Sequence, residues 1–161
     1  MIKVYQTLTV ENDQQGNCMN AVIASILEMP LRNVAQILPK DKGDWTARWR
    51  VWLAEHGYRL SLFNKNNPPK GYSIVSVYTD RVYPEGHLKA GIKISHSCVA
   101  FNGIIVHDPY PLPSETYDIQ HYQSLKPLTD TEKYIHEQRM SKGKCIHGYL
   151  STCIDCTLVI E

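Results

Sequence analysis

Apolar positions along this chain change period near residue 57. Met19, Val22, Ile23, Ile26 and Leu27 recur at i, i+3, i+4, i+7 and i+8, the stripe of an amphipathic helix, and predict a buried helix over residues 19–28. Ala21, Ala24 and Ser25 are small enough for close packing within it. Pro30 suits a first helical position, and Leu31, Val34, Ile37 and Leu38 predict a second short helix that Pro39 ends. Asp44 is a candidate N-cap for a third helix reaching His56, with Trp45, Trp49, Trp52 and Leu53 on one face and Gly57 as its stop.

Beyond Gly57 the period becomes two. Tyr58, Leu60 and Leu62 alternate with polar residues and predict a strand, and residues 72–78 predict another. Residues 64–70 hold two prolines and read as a loop. Residues 79–95, with Pro84, Gly86 and Gly91, read as a long polar loop, a length more often functional than idle. Two β-rich runs, 96–101 and 104–107, meet at Asn102-Gly103, a strong hairpin signal. A weaker strand near 117–125 and a polar helix over 129–140 follow. Helices first and an antiparallel sheet afterwards make an α+β pattern.

The 161 residues suffice for one domain with a real core. A net charge of +1 with dispersed basic residues gives no nucleic-acid footprint. No apolar run approaches the roughly 20 residues of a membrane span, and the first residues, Met1-Ile2-Lys3-Val4-Tyr5, lack the apolar stretch of a signal peptide. A cytoplasmic location is therefore expected, with a reducing environment for the five cysteines.

Cys18 has the most informative surroundings. It follows the turn-prone run Gln14-Gln15-Gly16-Asn17 and stands at the start of the first helix, where N–H groups and the macrodipole favour a thiolate. His96 and Asp108 come later in the order nucleophile, base, orienter. The hairpin tests their pairing. With a two-residue loop, His96 faces Pro109 and Asp108 points to the other side. With a three-residue loop and Gly103 left-handed in a bulge, His96 faces Asp108 directly, with Cβ atoms about 4.5–5.5 Å apart. The second register also gathers Cys98, Ala100, Ile104 and Val106 on one apolar face that would pack on the Cys18 helix, so it is the expected one. His107 is the alternative base. Cys98 is expected in the core, and His56, His87 and His121 at the surface. The Cys18 N–H with a side chain from Gln14, Gln15 or Asn17 could hold a developing oxyanion.

At these residues the chain resembles the papain-like cysteine hydrolases, most closely small NlpC/P60-like and C39-peptidase-like proteins of bacteria and phages. The likeness rests on the Gln-Gly-Asn-Cys turn opening the helix, on His96-Ser97-Cys98-Val99 heading a strand and on His107-Asp108-Pro109 ending the next, and it covers roughly residues 14–111. It implies Cys18 as nucleophile, His96 as base and Asp108 as orienter. The oxyanion glutamine of papain and C39 proteins usually stands about six residues before the cysteine, where this chain has Asn12. Gln15 is three before, a spacing closer to the Asp-Gly-Asn-Cys turn of ovarian-tumour-type deubiquitinases, and is the oxyanion candidate.

The last 17 residues carry a second motif, Cys145-x-His147-x5-Cys153-x2-Cys156. Four such ligands close a tetrahedral zinc shell, so a structural rather than catalytic zinc is expected. The organisation read from sequence is thus a papain-like hydrolase domain over residues 1–128 and a helix with a zinc-binding tail over 129–161. The expected activity is thiol-dependent cleavage of an amide, peptide or isopeptide bond in a peptide or protein substrate, without nucleic-acid or membrane partners. A non-catalytic binding or assembly module on the same fold and an acyl transferase using the same thiol are the alternatives.

Overall fold

The computed structural model describes residues 1–10, 16–38, 45–87 and 89–141. Gln14, Gln15, Asp44 and the tail ligands Cys145, His147, Cys153 and Cys156 lie outside the described residues. Element order is α1 (Cys18–Ile26), a 3-10 turn (Leu31–Asn33), α2 (Trp45–Glu55), β1 (Tyr58–Asn64), β2 (Tyr72–Val82), β3 (Lys93–Phe101), β4 (Ile104–His107), β5 (Tyr117–Pro127) and α3 (Asp130–Ser141). The five strands form one sheet in the order β1-β5-β2-β3-β4, with β2 antiparallel to β3 and β5, and β3 antiparallel to β4. The protein is α+β. No helix among the described residues is long and apolar enough to cross a membrane.

The chain divides into two compact units, residues 1–38 with 61–124, and residues 39–60 with 125–161. In the first, Ala21, Val22, Ile23 and Ala24 of α1 are completely buried, and the helix packs on β3 and more lightly on β2. Its stripe is the one the periodicity predicts. It stops at Ile26, two residues short of the expectation, because Glu28 turns left-handed (φ 54°). The predicted second helix is only the 3-10 turn. Val34 leaves it in an extended conformation, and the Ala35 carbonyl accepts from the Asn20 side chain, although Val34 and Ile37 are buried as expected. In the second unit, α2 buries Trp49 and Leu53, and Gly57 (φ 83°) ends the helix. Thr129 and Glu132 cap α3 reciprocally, each side chain accepting from the other's backbone N–H.

The segment 79–95 is a hairpin rather than a long loop. β2 runs on to Val82 and β3 begins at Lys93, with an irregular register between Tyr78 and Val82. At the next hairpin the three-residue loop is replaced by a two-residue one. Phe101 faces Ile104, and both Asn102 (φ 51°) and Gly103 (φ 84°) are left-handed, the combination a type I′ turn requires. Ala100 then faces Ile105, so Ile104 and Val106 point outward and are 71% and 38% exposed, against the expected inward face. The cluster around Cys98 and Ala100 is built from strand residues, Val75, Val77 and Tyr122 with Phe63, Ile105, Tyr117 and Ile119, and holds no residue of α1.

The tip of that hairpin is tightly tied. Asn102 exchanges hydrogen bonds with Gly71, and Tyr122 Oη donates to the Gly103 carbonyl at 2.9 Å. A Cβ on Gly103 would lie 2.7 Å from Pro68 Cγ. Gly103→Val therefore meets both a left-handed penalty and a steric one, and is expected to cost about 3 kcal/mol, or roughly 10 °C in Tm for a chain of this size. Thermal denaturation of the variant checks this; an unchanged Tm would mean that the tip yields freely.

Candidate active site

A single irregularity in β4 brings His96 and Asp108 together. From Ile104 to Ile105 the pairing follows the two-residue loop, but Val99 faces His107, so Val106 is an extra residue. This bulge reverses the parity of everything after it. Carried one position further, the register sets Asp108 opposite Cys98, on the face shared by His96 and Cys98. The side-chain pairing expected from sequence is present, but the bulge creates it and the loop does not.

His96 Nε2 donates to Asp108 Oδ1 at 2.6 Å, both side chains being buried. The carboxylate also accepts the Tyr110 N–H on Oδ1 and the Tyr117 hydroxyl on Oδ2, each at 2.8 Å. Burial alone would raise the Asp108 pKa. The hydrogen bond and charge of His96, then the two tyrosine donors, hold it down at about 2. Burial would likewise lower His96, but its hydrogen bond to Asp108 and then its contacts with Cys18 and Cys98 push it up to about 12.

The Cys18 thiol, half-buried at the first position of α1, meets the same imidazole. Its burial raises the pKa; the hydrogen bond and charge of His96, followed by the backbone and side chain of Ser97, outweigh this and bring the thiol below its ordinary value. Both shifts favour a thiolate–imidazolium pair braced by a carboxylate. Cys98, fully buried, is the opposite case: desolvation keeps its thiol high despite His96.

Local sequence explains the open helix start. Asn17 occupies the N-cap position but makes no capping bond. Its Oδ1 accepts the N–H groups of Thr7 and Leu8 at 3.0 and 2.9 Å, and its Nδ2 donates to Thr7 Oγ1. Asn17 is therefore committed to holding the N-terminal segment and is almost fully buried. The first-turn N–H groups of α1 have no intrahelical acceptor. The same N-terminal segment ties helix to sheet: Val4 N donates to Ser25 Oγ at 3.0 Å, the Val4 carbonyl accepts from His107 Nε2 at 2.8 Å, and Gln6 N donates to the Pro109 carbonyl at 2.9 Å.

His107, the alternative base, is spent on that Val4 contact and packs edge-on against Tyr5, so it stands apart from the His96–Asp108 pair. His56 is exposed and stacked on Trp52, whereas His87, stacked on Tyr83, and His121 are half-buried. Sequence reasoning passed over Tyr117, Tyr110 and Arg81. The Arg81 guanidinium lies 3.9 Å from the Tyr110 ring centroid and its Nε donates to Ser114 Oγ, bracing the turn that carries Asp108. No local sequence signal marks Tyr117, which pairs with Thr79 across the β5–β2 ladder. No family model, no curated protein and no solved structure matches this chain.

Proposed function

We propose that the protein is a papain-like thiol hydrolase that cleaves an amide, peptide or isopeptide bond, with Cys18 as nucleophile, His96 as acid–base and Asp108 as orienter. The observation that carries this reading is the His96 ring held by Asp108 through Nε2 while it also meets the thiol of Cys18 at an uncapped helix start. With Nε2 bonded to Asp108, Nδ1 is left to exchange a proton with the thiol. The thiolate attacks the carbonyl carbon, and the developing oxyanion is met by first-turn N–H groups of α1, with the Gln15 side chain as the candidate second donor. His96 then protonates the leaving amine, and the acyl group rests on Cys18 as a thioester. Water, deprotonated by His96, attacks the thioester and frees the acid and the thiolate.

Screening of a peptide-amide library, with cleavage sites read by mass spectrometry, tests this directly. Cleavage that requires Cys18 is expected. Absence of cleavage together with Cys18 labelling no faster than a free cysteine would leave only a binding module.

For the tail, the spacing of Cys145, His147, Cys153 and Cys156 supports a structural zinc. Protein purified under reducing conditions without chelator is expected to carry close to one zinc per chain by elemental analysis, and Cys153→Ser to lose it. Metal-free protein from that preparation would refute the tail site.

A further inference from the structure

Cys98 is chemically unexpected where it stands. Its neighbours in the strand cluster are Val75, Val77, Ala100 and Tyr122, any of whose aliphatic types would fill the place. It lies two residues from His96 on the same face, and the bulged register, carried one position past His107, sets it opposite Asp108. One ring nitrogen of His96, Cys98 Sγ and a carboxylate oxygen of Asp108 all lie within 4.8 Å of one another. Imidazole, thiolate and carboxylate are the ligand types zinc takes at roughly 2.0–2.3 Å, and three of them leave a fourth position open. Closing the three around one ion requires side-chain movement that breaks the 2.6 Å His96–Asp108 hydrogen bond.

We propose that this triangle is an inhibitory site for a thiophilic divalent cation, zinc above all, which takes His96 and Asp108 away from Cys18. The proposal rests on the reading of Cys18 as an imidazole-activated nucleophile. It assigns Cys98 a task distinct from catalysis: supplying the third ligand that makes the acid–base pair a metal site. Bound metal occupies the nitrogen or the carboxylate oxygen that the His96–Asp108 hydrogen bond needs, so the thiol loses its imidazolium partner.

The test follows alkylation of Cys18 by iodoacetamide in the full-length chain, quantified by peptide mapping, across a series of buffered free zinc concentrations. Cys153→Ser/Cys156→Ser serves as background, so that tail metal does not contribute. Zinc is expected to slow Cys18 alkylation, and Cys98→Ala and Cys98→Ser each to raise the zinc needed by at least about tenfold. Near-UV circular dichroism identifies which of the two keeps the native fold. A second arm uses cobalt(II) in the same background with Cys18→Ala: a thiolate-to-cobalt absorption band is expected, and Cys98→Ser removes it. Rapid alkylation that zinc leaves unchanged, or inhibition that persists at the same zinc concentration without Cys98, overturns the metal site while leaving the nucleophile intact. Slow alkylation of Cys18 without zinc overturns the nucleophile instead, and the cobalt band then decides the metal site alone.

Discussion

Cys18→Ala is expected to lower thiol-dependent hydrolysis by at least about 10⁴-fold, because it removes the atom that bonds to the substrate. The fold should persist, since the thiol contributes little to a helix whose burial comes from Ala21, Val22, Ile23 and Ala24. In the wild type Cys18 should be alkylated before Cys98, which has 0% exposure and a raised pKa. The pH dependence follows from the directions of the shifts. The Cys18 pKa is lowered, so its thiolate persists as pH falls below the ordinary thiol range and reactivity is lost only on passing that lowered value. The His96 pKa is raised, so the imidazolium survives to high pH and the pair spans neutrality. Measured with chelator present, the alkylation rate should therefore be nearly flat across neutral pH. A rate that climbs through pH 8–9 like that of a free thiol would remove the ion pair.

Asp108→Ala carries the second large effect. It removes the acceptor that aims His96, and turnover should fall by about 10²–10⁴-fold. Asp108→Asn separates aim from charge. An amide oxygen can still accept from His96 Nε2 and from the Tyr110 N–H, so orientation is largely kept, but the anion that raises the His96 pKa is gone. The basic limb of the pH–rate profile should then move to lower pH, with a smaller loss at the optimum than for alanine. Steady-state rates from the library's best substrate measure both variants. Wild-type turnover in Asp108→Ala would show that His96 needs no orienter.

How far the site could be read from sequence depended on which signals are local. The stripe of α1 and the Asn102-Gly103 turn are both short-range patterns, and the structure has a helix and a hairpin at those places. The register beyond the turn was not legible, because the bulge at Val106 has no residue signature: a valine in a β-rich run looks like any other strand residue. His96 and Asp108 do come together, but through the bulge at Val106 and not through a three-residue loop. The polar residues Thr79, Asp80 and Arg81 hide the extended β2–β3 hairpin in the sequence, yet Thr79 is buried and its hydroxyl donates to the Ile94 carbonyl at 3.2 Å. A helix was expected through Val34 and Ile37 because burial alone was visible. The claim of Asn20 on the Ala35 carbonyl, fifteen residues away, was not. Tyr117 escaped notice for the same reason, since its bond to Asp108 exists only through the sheet.

The N-terminal tie has a consequence in time. Residues 4–8 hold α1 through Ser25 and Asn17, and the β4 side through His107 and Pro109, across separations of up to 103 residues. By loop-closure entropy alone, contacts of such range are expected to form after shorter-range ones. In the unfolded chain Cys18 is a thiol of about pKa 8.5 with no imidazole beside it. Under the proposed function, the thiol gains its imidazole partner only as the fold closes.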